Sequence, residues 1–269
     1  MLRSGIVVVG LLRRLSQAIQ AAVLGVQEYS ELSFAGVRAL FTRPRYPREI
    51  LAQMDSLGVG SLSIVVLTGM FTGMVLALQS SATLDVFGAR AYVGRLVCVS
   101  MVRELGPVLT ALMVTGRVGS GMAAELGSMV VTQQIDALRV LGSDPIRKLV
   151  APRIAAGVIM VPILTVISNA LGILGAGLLS VFSLKLQWAF YWRSVTGALG
   201  INDLTMGLTK PIVFGFILSS VGCYMGLRTR GGTQGVGTAT TRSVVVGSVL
   251  ILVADFFMTK FLLLLLPVG

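Results

Sequence analysis

The fold turns on residues 98–153, CVSMVRELGPVLTALMVTGRVGSGMAAELGSMVVTQQIDALRVLGSDPIRKLVAPR. The stretch opens as an apolar helix with Arg103 and Glu104 set into it. It then sheds side-chain bulk through Gly116, Gly119, Ser120, Gly121, Ala123 and Ala124. Gly116 and Ser120, then Gly121 and Glu125, repeat at the helical spacing of four, and Arg117 shares a face with Glu125. That pattern reads as a close-packed helix seam carrying a satisfied surface pair. Beyond it, Gln133, Gln134, Asp136 and Arg139 alternate with Val131, Ile135, Leu138 and Leu141. This predicts an amphipathic helix over about 130–144, stopped by Asp144-Pro145 because the residue before proline is biased away from helical angles. Such a helix either lies on lipid headgroups or inserts into a groove on a soluble partner. An apolar helix that passes through a small-residue seam into a partner-facing helix is a part that transmits force.

Composition sets the medium. Of 269 residues, 55% are hydrophobic and 12% are charged, against roughly 25% charged in soluble domains. The net charge of +11 would suggest nucleic acid in a soluble protein. No aromatic cluster that could stack bases accompanies it, so no nucleic-acid partner is expected, and the arginines and lysines read as loop charges of a membrane protein. Cys98 and Cys223 each lie inside an apolar segment, with no disulfide framework and no metal-ligand spacing. Without histidine, no His-based triad or HExxH zinc site is available. No Gly-Lys pair occurs, so there is no Walker A motif; any ATP and Mg that drive this protein bind on another polypeptide, and no cofactor is expected on this chain.

Working outward, residues 1–58 read as interfacial amphipathic helices and 59–269 as a five-span domain. Leu11, Leu15, Ala18 and Ala22, and then Leu32, Val37 and Leu40, follow helical spacing suited to an interface. Ile6–Leu12 imitates a signal-peptide core without a convincing cleavage site. Arg43-Pro44-Arg45-Tyr46-Pro47 breaks the chain, and a second short helix is predicted from Arg48 to Leu57. Ser56–Leu84 is 29 residues without a charge, enough to cross roughly 30 Å of hydrocarbon. The predicted spans are about 59–82, 89–116, 154–182, 204–227 and 243–266, with a Gly- and Thr-rich loop over 228–242. Trp188, Tyr191 and Trp192 form an aromatic boundary cluster after span three. Gly69 and Gly73 make a GxxxG that lets a second backbone approach, either from another subunit or within one. With the N-terminus in the cytoplasm, fifteen of the 22 Lys and Arg residues fall on the cytoplasmic side, and five spans put the C-terminus opposite.

Four ionisable residues fall at membrane depth: Arg103, Glu104, Lys210 and Asp255. A lone charge at the bilayer centre costs at least about 2.5–3.5 kcal/mol, so pairing is expected. Arg103 and Glu104 point about 100° apart on one helix and need partners elsewhere. Arg103–Asp255 with Glu104–Lys210 is the natural assignment, and the exchanged one fits too. The cluster reads as a tie between spans two, four and five, with Glu104 as the member that could face a cavity. Lys260 reads as a snorkelling interface lysine.

Several motifs together are similar to the MlaE/YrbE permease family: Arg-Glu-Leu-Gly-Pro at 103–107, Gly-Arg-Val-Gly-Ser-Gly-Met-Ala-Ala-Glu-Leu-Gly at 116–127, Gln-Gln-Ile-Asp-Ala-Leu at 133–138, Asp144-Pro145, and the Gly231–Arg242 segment. The resemblance spans about residues 45–266. It implies an all-α integral membrane protein of the MlaE-type permease fold, in the bacterial inner membrane. The implied role is the membrane subunit of an ABC system that moves phospholipid. Implied partners are a second copy of the chain, a cytoplasmic ATPase dimer, a periplasmic MCE-domain protein and, as a further candidate, a STAS-domain protein. The resemblance makes 130–144, with Gln133, Gln134, Asp136, Leu138, Arg139 and Asp144, the coupling helix that docks on the ATPase. It places lipid tails against Thr72, Leu76, Gln79, Thr83 and Leu84, with Glu104 behind them, and it makes Gly69, Gly73, Gly116, Ser120 and Gly121 helix-seam residues. The rival reading is a scaffold or lipid channel that anchors such partners without pumping.

Overall fold

The computed structural model describes residues 2–43 and 46–265, with side chains from Ser16 onward apart from 18, 19, 21 and 22. The Pro44-Arg45 break, the Leu11, Leu15, Ala18 and Ala22 face and the 6–12 core therefore lie outside the residues whose side chains are described. Helices follow in the order α1 Leu2–Phe41, α2 Pro47–Val86, α3 Arg90–Val131, α4 Gln134–Val140, α5 Ile146–Phe182, α6 Trp188–Thr196, α7 Ile201–Leu227 and α8 Gly232–Leu265. Among the described residues there is no strand, and α2, α3, α5, α7 and α8 are long and apolar enough to cross a membrane. The chain is a multi-pass membrane protein.

Three boundaries differ from the sequence expectation. The helix predicted to end at Leu57 runs without a break into span one, so α2 is 40 residues long and residues 58 and 59 lie inside it. Pro47 fits its first turn, where a missing N–H costs nothing. The 228–242 segment is not a loop, because α8 begins at Gly232. Gly235, Ala239, Ser243 and Gly247 are buried one turn apart. That stripe packs against α3 and α7, and tertiary contact overrides the poor helix propensity of glycine and threonine. The cytoplasmic segment is not one helix over 130–144. Gln133 takes a left-handed φ of 59°, which separates α3 from the seven-residue α4. Gly142 at φ 73° ends α4, and Asp144 starts the next helix instead, accepting a hydrogen bond from the Ile146 N–H at 2.9 Å.

Two prolines widen the helices that contain them. Pro107 has no N–H for the Arg103 carbonyl, and the preceding turn, Met101–Leu105, opens to a π turn with Gly106 N–H reaching Met101 O. Pro152 does the same to Ile146–Val150, where Ala151 N–H reaches Ile146 O. Skipping one carbonyl is how a helix absorbs a proline without a break. A further π turn lies at Thr115–Gly119.

Small residues set the packing. A Cβ on Gly73 would run into the Gly172 carbonyl, and one on Gly69 into Ser168. The GxxxG of α2 is thus a seam with α5 inside one chain. Gly157 of α5 meets Gly215 of α7 in the same way, and Gly222 and Gly226 of α7 rest on Gly119 and Ala123 of α3. Gly116 and Gly121 face open space and Ser120 bonds only its own helix, at Gly116 O and Arg117 O. The seam of α3 is therefore the Gly119–Ala123 face, rotated away from the predicted one. In α6, Tyr191 is buried and its hydroxyl donates to Ile173 O at 2.8 Å; burial pushes its phenol pKa up, so it stays a neutral donor. Trp188 and Trp192 stack outside it at 6.0 Å.

Candidate functional site

The widened turn Met101–Leu105 aims Arg103 and Glu104 at different neighbours. Glu104 meets Lys210 of α7, whose Nζ donates to Oε2 at 2.5 Å and to Thr259 Oγ1 of α8 at 2.7 Å. Asp255 Oδ1 completes the set at 3.0 Å from the same nitrogen; it makes no directed hydrogen bond, so that contact is Coulombic. Lys210, 1% exposed at its side chain, thus has two hydrogen-bond acceptors and a second carboxylate in Coulombic contact. Burying a lysine this deeply is tolerable only when it is so matched.

Arg103 does not join this junction. It pairs with Asp203, its Nε 2.5 Å from Oδ1, and the predicted Arg103–Asp255 contact does not form. Asp203 also accepts from Gly200 N–H at 2.9 Å through Oδ2, which caps the start of α7. The local signal is an acidic residue at the third position of a helix, one residue ahead of the predicted span 204–227. The consequence is electrostatic. Arg103–Asp203 is neutral by itself, and Lys210 is left facing two carboxylates, a formal excess of one negative charge. Glu104 carries the accessible share of it, with its side chain 42% exposed, against 20% for Asp255.

An apolar groove of about 330 Å³ is lined by Phe71, Thr72, Val75, Leu76 and Gln79 of α2 and by Leu105, the residue after Glu104. The structure thus brings together Thr72, Leu76 and Gln79 of the predicted lining residues, next to Leu105 of the widened turn. Phe71, Val75 and Leu105 were missed; the first two follow from the three- and four-residue spacing on the same helix face. Thr83 is exposed beyond the groove, and Leu84 packs into the core around Val93 and Ala176.

At the other end of α3, Arg117 and Glu125 do not pair with each other. Arg117 donates to Ser61 Oγ at 3.0 Å and Ser56 O at 3.2 Å, tying α3 to α2. Glu125 bonds the buried Arg153 of α5 at 2.7 Å. Helix α4 projects from this end. Ile135 anchors it, 4% exposed, whereas Val140 and Leu141 stand 88% and 78% exposed. Asp136 and Arg139 pair on its surface at 3.1 Å, Gln133 and Gln134 are exposed and Leu138 is half-buried. Among the described residues no cluster of His, Cys, Asp or Glu could hold a metal.

A five-span bundle with a buried ion-pair junction, a lateral apolar groove and a projecting amphipathic helix defines a membrane permease. The permease MlaE family profile matches residues 50–261, and the chain belongs to that family of ABC transporter permeases. It is 43% identical over 235 residues to a probable ABC transporter permease protein of Rickettsia conorii, covering 87% of this chain and 91% of the relative. It is 40% identical over 212 residues to a probable ABC transporter permease of Synechocystis, covering 79% and 81%. It is 37% identical over 225 residues to the intermembrane phospholipid transport system permease protein MlaE of Haemophilus influenzae, covering 82% and 86%.

Proposed function

We propose that this chain is the membrane half-unit of an ABC transporter that moves phospholipid between the inner membrane and a periplasmic MCE-domain partner, with ATP hydrolysed on a separate ATPase dimer. The observation that carries the reading is the apolar groove between α2 and Leu105. Its walls suit acyl chains, and the residue before Leu105 is Glu104, a half-exposed carboxylate held by Lys210. One chain supplies one such groove, and α2 leaves Leu67, Phe71, Val75 and Leu78 exposed around it. A second copy facing that flank would convert two open grooves into one chamber. Gly69 and Gly73 are occupied by α5, so the copies would meet through the Leu76 face instead. Helix α4, with its exposed Val140 and Leu141, is the docking element for the ATPase, and a STAS-domain protein remains a candidate accessory. The N-terminus lies in the cytoplasm in this reading and the C-terminus in the periplasm.

The test is ATP-dependent transfer of a fluorescent phospholipid by the reconstituted complex. Glu104→Gln is expected to keep folding near normal and to slow transfer, and a cysteine at Leu76 is expected to cross-link two copies. Unchanged ATP-driven transfer by Glu104→Gln removes the carboxylate from the pathway. Lipid exchange that proceeds without ATP would identify a channel or scaffold instead.

A further inference from the structure

A second, roomier cavity lies away from the groove. It encloses about 900 Å³ between α1, the end of α7 and the start of α8. Its long direction follows α8 from Gly235 and Thr238 past Arg242, which lies midway, to Val246 one turn further and Leu250 two turns further, about 22 Å along the axis in all. Val26 and Val221 close the apolar end from the other helices. The polar end is cationic. Arg228 is already engaged, bonded to Glu28 at 2.8 Å and lying over the Tyr224 ring. Arg230 and Arg242 also line the cavity, are exposed, and have no ion pair among the described residues. The half of the cavity from the α7–α8 turn to Arg242 thus carries two uncompensated positive charges, and the half beyond Arg242 is an apolar slot aligned with the membrane-spanning helices.

We propose that this cavity holds an anionic membrane phospholipid as a bound component of the permease, with its phosphate between Arg230 and Arg242 and a chain along Val246 and Leu250. The charge order, cationic at the helix end and apolar within the span, is that of one leaflet of a bilayer read from headgroup to tail. A basic pocket between membrane helices at the headgroup level favours anionic over zwitterionic lipid. The occupant is structural: it would fasten α1, which borders the cavity through Tyr29 and Gly25, to the α7–α8 turn. The inference does not depend on the transport reading, because the groove on α2 is lined by different helices.

A local reporter tests it. The full-length chain carrying Val246→Trp is placed in phosphatidylcholine vesicles containing either brominated phosphatidylglycerol or brominated phosphatidylcholine. The same protein without that substitution supplies the background from Trp188 and Trp192. Quenching by the anionic lipid is expected to reach half-maximum at roughly thirtyfold lower content than by the zwitterionic lipid, as two arginines at a membrane surface would give. Arg230→Gln with Arg242→Gln should abolish that preference, and inorganic phosphate should not restore fluorescence. Equal quenching by the two lipids, an unchanged preference in the double variant, or displacement by phosphate overturns the proposal. So does an absence of quenching by either lipid, which would mean that protein fills the cavity.

Discussion

Helix α3 widens twice within its span, and the two places behave differently. At Met101–Leu105 the extra backbone room is used up. Arg103 and Glu104 leave toward Asp203 and Lys210, and Gly106 lies so close to Asn169 Oδ1 and Met101 O that a Cβ there would collide with both. At Thr115–Gly119 only one side is filled: Thr115 and Gly119 are buried against α7 and α8, with Ser243 donating to Gly119 O at 3.0 Å, and the opposite side is open. Arg117 reaches sideways to α2, while Gly116 and Gly121 have nothing within 4 Å. One widened turn is a locked crossing of helices, and the other, packed on one side, leaves a loosely covered flank at the end of the span that leads to α4. The difference shows that a glycine or a charge in this helix acquires its role from the helix it faces, not from the motif that carries it.

The comparison can be broken most sharply at Lys210. Lys210→Met leaves the half-exposed Glu104 and the partly exposed Asp255 facing each other without a cation; removal of one partner from a fully buried pair costs about 3–5 kcal/mol, and solvent screening at Glu104 sets this loss at or below the lower end. Thermal unfolding of the purified protein should show that loss, and adding Glu104→Gln with Asp255→Asn should recover most of it. Asp255→Asn alone should be much milder, because Lys210 keeps Glu104 and one surplus negative charge is removed. An Asp255→Asn loss as large as that of Lys210→Met would mean that Asp255, not Glu104, is the main counter-charge.

Gly106→Ala is the next largest effect. Overpacking against Asn169 should cost about 1–3 kcal/mol, seen as a lower midpoint of unfolding. Arg117→Ala should cost less, about 1 kcal/mol per hydrogen bond lost, and it should loosen α3 from α2 near Ser56 and Ser61, measurable as faster amide hydrogen exchange there. Gly116→Ala should be the smallest and of opposite sign. It meets no neighbour, and alanine in place of a helical glycine gains up to about 1 kcal/mol. If Gly116→Ala destabilises the assembled transporter but not the isolated chain, the open flank is where another subunit sits.

The residues alone determined the medium, the five spans and, of the buried charges Arg153, Asp203 and Lys210, only Lys210. Those features are local: unbroken apolar runs, charge spacing and proline are written along one helix. They determined the Glu104–Lys210 contact only as one of the options, and α4 only as an amphipathic segment with blurred ends. The tertiary structure decided the rest. Asp203 lies 100 residues from Arg103, and nothing in either segment names the other until α7 crosses α3. Gly69 and Gly73 offered a close approach to any backbone, and α5 took it. The 228–242 segment read as a loop by its glycines and threonines, yet the same small side chains at spacing four let α8 begin early against α3 and α7. Helix periodicity fixes which side chains share a face, but the partner of that face depends on how whole helices cross. Span length and apolar character are one-dimensional properties, whereas the choice of counter-ion, seam and groove wall is made only when the helices meet.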